Sequence, residues 1–573
     1  MTLSPAQSFA RDWIAANGDR ISADHMAIWH LHEPAWREYR SAAWYVERLR
    51  AEGFTVENPS CGMPTAFIAR YGEGGPVLGA HAEYDAVPGQ SQEPVPFRKP
   101  REGLHWAAAG HTDPHSALGI GALSGMLAAK AAKDRFGLPG TLVLFGEPAE
   151  KVCGAKAVHA LNGAYDGLDA MLSFHPHYLP GLANSVVWDT HCGCYWSKIY
   201  TFTCFEPESW LGAAADGGRA QPVYNTAAVA RAPGATDALV MMYTVSKLTR
   251  ESMLTHDGRW TLNEAILAAG DACADNHAPR FAQIQYAWRV TTLEMAERIE
   301  RVLDQNAAAA ALATHCRWRA DWVAKVRHGI PNHALARFTM DVFRDCGPPS
   351  WGEEALGFAR RILGNLGLPE VADPLLPEIS VLQDPEEGER QLRRTLPEWQ
   401  RNYTSDDYTE YTWHVPTVRL FVGRPMLRPL QPGFRYPDWA RNAMGGVPAM
   451  MDPMICKAGE VIGSTLVGLM QNPCILGAAR AEFAERTGGG HGGSRWVAPL
   501  LPAGFRPPID WPWPEYVETV RGHGWNKPML PPGWEPSPAA SAEGDAGRAM
   551  RPANETCARI ALMRGCGEAG DGC

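Results

Sequence analysis

The sequence predicts an α/β fold built on a mostly parallel sheet, with a second α+β unit inserted into it. Three observations lead there. Apolar runs and small-residue helical stretches alternate from about residue 76 to 177, the pattern of strands joined by helical crossovers. The character changes between about 195 and 335, and alternating elements then resume. The chain has 573 residues, more than one ordinary core encloses, so two or three folding units are expected.

The elements follow in order. Residues 4–52 show mixed helical periodicity, and "AAWYVERLRAEGF" closes at a glycine, as helices often do. "PVLGAHAEYD" (76–85) reads as a strand, "SALGIGALSGMLAAKAAKDRFG" (116–137) as a helix and "GTLVLFGEP" (140–148) as a buried strand. "GAKAVHALNGAYDG" (154–167) suits a helix and "DAMLSFHPH" (169–177) a strand. The first part of the main domain is thus placed at 1–194. From 195 to 335 come strand "YWSKIYTFTCF", a helical stretch at 225–255, strand "FAQIQYAWRV", helix "TLEMAERIERVLDQNAAAAALATHC" and strand "RWRADWVAKVR", enough for a small sheet with helices on one face. The main domain resumes over 336–534 with "GEEALGFARRILGNLG", "TVRLFVG" and "MICKAGEVIGSTLVGLMQ". Its last stretch, from 486, is rich in Gly, Pro and Trp and is expected to wrap the surface. The tail at 535–573 lacks apolar periodicity and is expected to be disordered.

Composition narrows the function. Hydrophobic content of 45% and charged content of 20% are globular values, and a net charge of -10 is a mild acidic excess, which points away from nucleic acid and anionic membranes. No run approaches the roughly 18–20 apolar residues that span a bilayer, and the first thirty residues lack the order of a signal peptide, so a cytoplasmic protein is expected. The 13 cysteines are scattered, and a chain this long does not need disulfide staples. The 21 tryptophans read as core rather than pocket.

In open parallel sheets ligands bind outside the carboxyl ends of the strands, and that rule sorts the polar candidates. The first strand ends in Glu83 and Asp85, the second in Glu147 and Glu150, the third in His175 and His177. "GHTDPHS" lies on the same rim. Asp113 and His115 straddle a proline, and a carboxylate with an imidazole suits zinc or manganese. Asp113 and Ser116 alternatively cap the following helix. His111 reads as exposed or as backing a ligand. His175, at the end of an apolar strand, is a candidate ligand or a satisfied core histidine. Glu150 opens a small-residue helix, where a carboxylate can serve as general base for an activated water or simply start the helix.

At this point the residues resemble a known family. "EYDAVPGQSQ", "GHTDPHSALGIGALSG", "GTLVLFGEPAE" and "DAMLSFHPH" look like four successive blocks of the zinc aminoacylase, carboxypeptidase and amidohydrolase family, peptidase family M20. They are most similar to the branch of p-aminobenzoyl-glutamate hydrolases and auxin-conjugate amidohydrolases. "IPNHALA" and "SDDYTEYTWHVPT" resemble later blocks, so the likeness spans roughly 5–490. The resemblance implies a zinc-exopeptidase-like, two-metal catalytic domain with an inserted lid that usually mediates dimerisation; one or two Zn2+ or Mn2+ ions and a homodimer are expected here. It implies Asp113 in the place of a bridging cysteine, His115 and His175 as ligands, Glu150 as general base, and Glu83 and Asp85 as a ligand and its orienting carboxylate.

Three departures stand out. Lys151 occupies the place of a ligating Glu, and a protonated amine cannot ligate. The lid segment "TFTCFEPESW" lacks the family's histidine. Pro437 or Asp438 stands where a last histidine ligand belongs, and His414 is a candidate to replace a lost histidine. The reading is a metal-dependent hydrolase of an amide (C–N) bond in an N-acyl amino acid or similar small conjugate. The alternative is a non-catalytic or altered-chemistry descendant, either a scaffold or ligand binder, or an aminohydrolase in which Lys151 binds a carboxylate or keeps the site at one metal.

Overall fold

The computed structural model describes residues 2–105, 107–207, 210, 231–254, 260–270, 277–431, 433–511, 513–519 and 522–525. The expected disordered tail, and the start of the helical stretch at 225–255, lie outside them. Six strands form first: β1 (Thr55–Glu57), β2 (Phe67–Glu73), β3 (Val77–Ala82), β4 (Gly140–Gly146), β5 (Ala170–His177) and β6 (Ser185–Val186). Four more follow: β7 (Cys194–Thr203), β8 (Thr261–Ala269), β9 (Phe281–Val290) and β10 (Arg317–Val326). The chain then returns to the first sheet as β11 (Thr417–Gly423).

The large sheet has the order β1-β2-β4-β3-β5-β11-β6. Its centre, β4-β3-β5-β11, is parallel, as the buried apolar runs predict. Its flanks are antiparallel, at β1-β2, β2-β4 and β11-β6. The sheet is therefore mixed rather than mostly parallel. The flanking strands are short or partly exposed, and local connections suffice to place them.

The His115–Phe136 helix crosses back over this sheet and packs along the Pro448–Gln471 helix in the main core. Small residues make the contact possible. A Cβ on Gly125 would stand 2.7 Å from Ile462, and one on Gly459 2.5 Å from the Ser124 hydroxyl. The first of these helices begins without a side-chain cap. Ser116, a candidate for that role, instead places its hydroxyl 3.3 Å from His25 Nε2 in the core, because it lies inside the first turn rather than before it.

The second sheet, β10-β7-β9-β8, is antiparallel throughout. The Ala235–Met253 and Leu293–Ala313 helices bury Leu239, Met242, Ile299 and Leu303 with Trp196 and Trp288 in a core of its own. Strand β8 was not foreseen, since "TLNEAILAA" is Ala-rich and largely exposed. This unit meets the main body at Arg327, which follows β10. Its backbone N–H donates to Glu410 Oε1 at 2.8 Å and its Nε to Glu410 Oε2 at 2.9 Å, with both side chains fully enclosed. Among the described residues no single helix is long and apolar enough to cross a membrane.

The helix crossing yields a direct test. Gly125→Val is expected to cost about 1–3 kcal/mol through overpacking, read as a lower midpoint in guanidinium chloride. An unchanged midpoint would show that the two helices separate freely there.

Candidate active site

The carboxyl ends of β3, β4 and β5 open onto one rim, and the N-terminus of the His115–Phe136 helix faces it. Glu83 and Asp85 follow β3, Glu150 and Lys151 follow β4, and His175 lies near the end of β5. His115 is the first residue of the helix, and Asp113 stands two residues earlier.

Asp85 organises the group. Its Oδ1 lies 2.6 Å from His115 Nδ1, and its Oδ2 accepts the Lys151 backbone N–H at 2.9 Å. Both oxygens are thereby used, and the side chain is fully buried. Asp85 thereby holds His115 and the Lys151 backbone in place. His115 Nε2 then points to Glu83 Oε2 and Glu150 Oε2, each at 3.3 Å. The Glu150–Val152 turn is bracketed by Ala149 at φ 56° and Cys153 at φ 51°, left-handed conformations that cost a non-glycine residue roughly 1–2 kcal/mol each. The buried Glu38 holds this turn, accepting the Ala149 N–H at 2.7 Å.

Lys151 reaches into the centre. Its Nζ donates to Glu150 Oε2 at 2.7 Å and to Asp113 Oδ2 at 2.8 Å, and lies 3.1 Å from His115 Nε2. A second ammonium, Lys156, sits fully buried between Glu83 Oε1 at 2.8 Å and Asp407 Oδ1 at 2.7 Å. Arg419 joins Asp406 and donates to Ser173 Oγ at 2.7 Å, and Arg424 stands 3.4 Å from Asp113 Oδ1.

These contacts set the protonation states. Burial raises Glu150, but the ammonium of Lys151 and the nearby His115 outweigh it and hold the carboxyl below the usual range. Against burial, Lys151 and His175 likewise hold Asp113 well down. Burial and Lys151 oppose charge on His115, yet Asp85 and Glu83 prevail and raise it to about 9. Burial lowers His175 to about 4, leaving it neutral with a lone pair to give. Burial pushes Glu83 up and Asp407 well up, despite Lys156.

A divalent ion fits this donor set. One ligand atom from each of Glu83, His115 and His175 lies within 4.8 Å of the others, and a carboxylate with two imidazoles suits zinc or manganese. Asp113 borders the group, its Oδ1 3.8 Å from His175 Nε2. Ion binding at His115 displaces a proton. Asp85, His115 and Glu150 form an overlapping group.

Glu83, Asp85, Asp113, His115, Glu150, Lys151 and His175 thus come together. His414 does not join them. Its Nδ1 lies 2.8 Å from Asp166 Oδ1 and its Nε2 3.1 Å from Arg327, because the turn before β11 faces the inserted unit there. Asp438 is exposed and pairs with Arg441. His177 packs its ring on Phe421. His111 is buried rather than exposed, and neither ring nitrogen has a hydrogen-bond partner among the described residues.

The sequence reading missed Lys156, Asp406, Asp407, Arg419 and Arg424. One signal was present: an arginine in the middle of the apolar run "TVRLFVG" must find a buried partner. Lys156 gave no comparable sign, since it sits among alanines on a helix that reads as ordinary.

Two outcomes follow from these charges. Lys156→Met is expected to lower stability by about 3–5 kcal/mol, because it strands two buried carboxylates, and adding Asp407→Asn should recover part of the loss in denaturant titrations. Asp113 and Glu150 have folded pKa values below their unfolded ones, so their pairing with Lys151 stabilises fully above about pH 5 and is lost as pH falls through the lowered values. Metal-stripped Lys151→Met should therefore lose stability less steeply than the parent in acid. Equal slopes would place the acid-sensitive pairing elsewhere.

The chain is similar to several known proteins. The model of peptidase family M20/M25/M40 matches residues 78–298. The chain is 26% identical to a p-aminobenzoyl-glutamate hydrolase component of Escherichia coli (strain K12) over 359 residues, 62% of this chain and 69% of that protein. It is 24% identical to the Xaa-Arg dipeptidase of Mus musculus over 325 residues, 54% of this chain and 63% of that one. The crystal structure of the aminobenzoyl-glutamate utilization protein from Klebsiella pneumoniae aligns at a TM-score of 0.45 and 12% identity, covering 79% of this chain and 98% of that one. The chain is therefore similar to peptidase family M20/M25/M40 over residues 78–298, and to the hydrolase and the dipeptidase named above.

Proposed function

We propose that the enzyme hydrolyses the amide bond of an N-acyl amino acid or similar small conjugate, with Glu150 as general base. The observation that carries this reading is the Glu150 carboxylate standing 3.3 Å from His115 Nε2, at the edge of the Glu83–His115–His175 group. A bound zinc or manganese ion supplies Lewis acidity, polarising the scissile carbonyl and acidifying a water.

Glu150 accepts the proton from the attacking water and returns it to the leaving amine. Lys151, 2.7 Å away, makes Glu150 a weaker acceptor but a stronger donor, which favours the second transfer. Asp85 fixes the tautomer and ring plane of His115 through Nδ1, the usual support for a ligating imidazole. Asp113, half-buried beside Lys151 and Arg424, borders the site where it meets solvent.

Aryl-glutamates and Xaa-Arg dipeptides, the compounds named for the relatives, and N-acyl amino acids form the substrate panel. The reading includes homodimerisation through the inserted unit, 195–335. Its support is the edge strand β8 beside exposed Val240, Met241, Leu248 and Ile266. A cytoplasmic location accords with the free thiols of Cys61, Cys153, Cys192 and Cys194.

Glu150→Gln should reduce kcat by about 10²–10⁴-fold while metal content, measured by mass spectrometry, stays at the parent value. Chelation should abolish turnover, and added zinc or manganese should restore it. Full activity in Glu150→Gln would remove Glu150 from the reaction.

A further inference from the structure

We propose that the Lys151 ammonium is a resident cation of the metal centre, so that the chain takes one divalent ion, on Glu83, His115 and His175, in a donor set large enough for two. The inference rests on the metal-hydrolase reading above and specifies its stoichiometry.

The first argument is geometric. Lys151 Nζ has Glu150 Oε2 at 2.7 Å, Asp113 Oδ2 at 2.8 Å and His115 Nε2 at 3.1 Å. Two carboxylate oxygens and an imidazole nitrogen, from three separate side chains, are atoms that a divalent ion would take. An ammonium already fills the space between them.

The second is placement. The lysine's backbone N–H is bound to Asp85, and the turn that carries it is held by Glu38 and bracketed by two left-handed residues. Nζ is thus delivered by a fixed turn. On ion binding it yields only His115 Nε2 and keeps both carboxylates.

The third is charge. Glu83, Asp85, Asp113, Glu150, Asp406 and Asp407 face Lys151, Lys156, Arg419 and Arg424. A second ion on the same oxygens would stand against the Lys151 ammonium, which lies 2.7 Å from Glu150 Oε2 and 2.8 Å from Asp113 Oδ2, and like charges that close in a largely buried site are costly. Glu83 is divided in the same way, giving Oε1 to Lys156 and leaving Oε2 toward His115.

The test counts zinc. Asp166, His414 and His491 form a separate group able to hold an ion at the surface, so all proteins carry His491→Ala. Full-length chains are stripped with chelator, loaded with zinc, dialysed and measured by inductively coupled plasma mass spectrometry, with circular dichroism to confirm folding. One zinc per chain is expected with Lys151 present, and two in Lys151→Glu. Lys151→Gln, which removes the cation and keeps a polar side chain, is expected to rise above one as well. Two zinc ions in the lysine form, or one in both folded variants, would overturn the proposal. Zinc bound by the variants but not by the lysine form would also overturn it, since the lysine would then exclude metal altogether. No zinc in any of the proteins would overturn the hydrolase reading as well.

Discussion

The Asp85 carboxylate ties three pieces of the chain into one centre. It follows β3, and its two oxygens fix the first residue of the His115–Phe136 helix and the backbone after β4. Each of these segments adjoins a different element of the parallel core. Without that carboxylate, His115 would lose its tautomer and Lys151 its anchor. Asp85 is fully enclosed and both its oxygens are committed to these two neighbours. The rest of the centre is charge matching around this fixed frame.

That matching explains why a site so rich in ionised groups is tolerated in the interior. Lys156 and Arg419 lie within the sheet-side wall, where each meets a carboxylate and has little exposure. Buried pairs of this kind add little net stability, yet breaking one strands its partner. The centre is therefore sensitive to single substitutions. The helix crossing at Gly125 and Gly459 does different work, bringing the helix that starts at His115 close against the rest of the core.

The parallel centre of the sheet was legible because buried strands read as continuous apolar runs and their carboxyl ends collect ligands. The meeting of Glu83, Asp113, His115, Glu150 and His175 on one rim was anticipated by that rule and by family likeness. The antiparallel flanks and β8 were not legible, since short or exposed strands carry weak periodicity. His414 was misplaced because position in a sequence block says nothing about which side of a turn a ring faces. Lys151 was seen as a departure, but only the three-dimensional cage shows what its ammonium touches. Lys156 stayed hidden because partnership across 251 positions, with Asp407, leaves no local trace.

The left-handed residues on either side of the Glu150–Val152 turn have one more consequence. Neighbouring residues in an extended segment project to opposite sides, and the tight turn cancels that alternation, so Glu150 and Lys151 meet head to head. The Glu150 carboxylate and the ammonium beside it are consequently one mechanical unit. Any change of backbone that displaces the turn carries both together, so their spacing is insulated from movements of the sheet beneath while their joint distance to His115 is not.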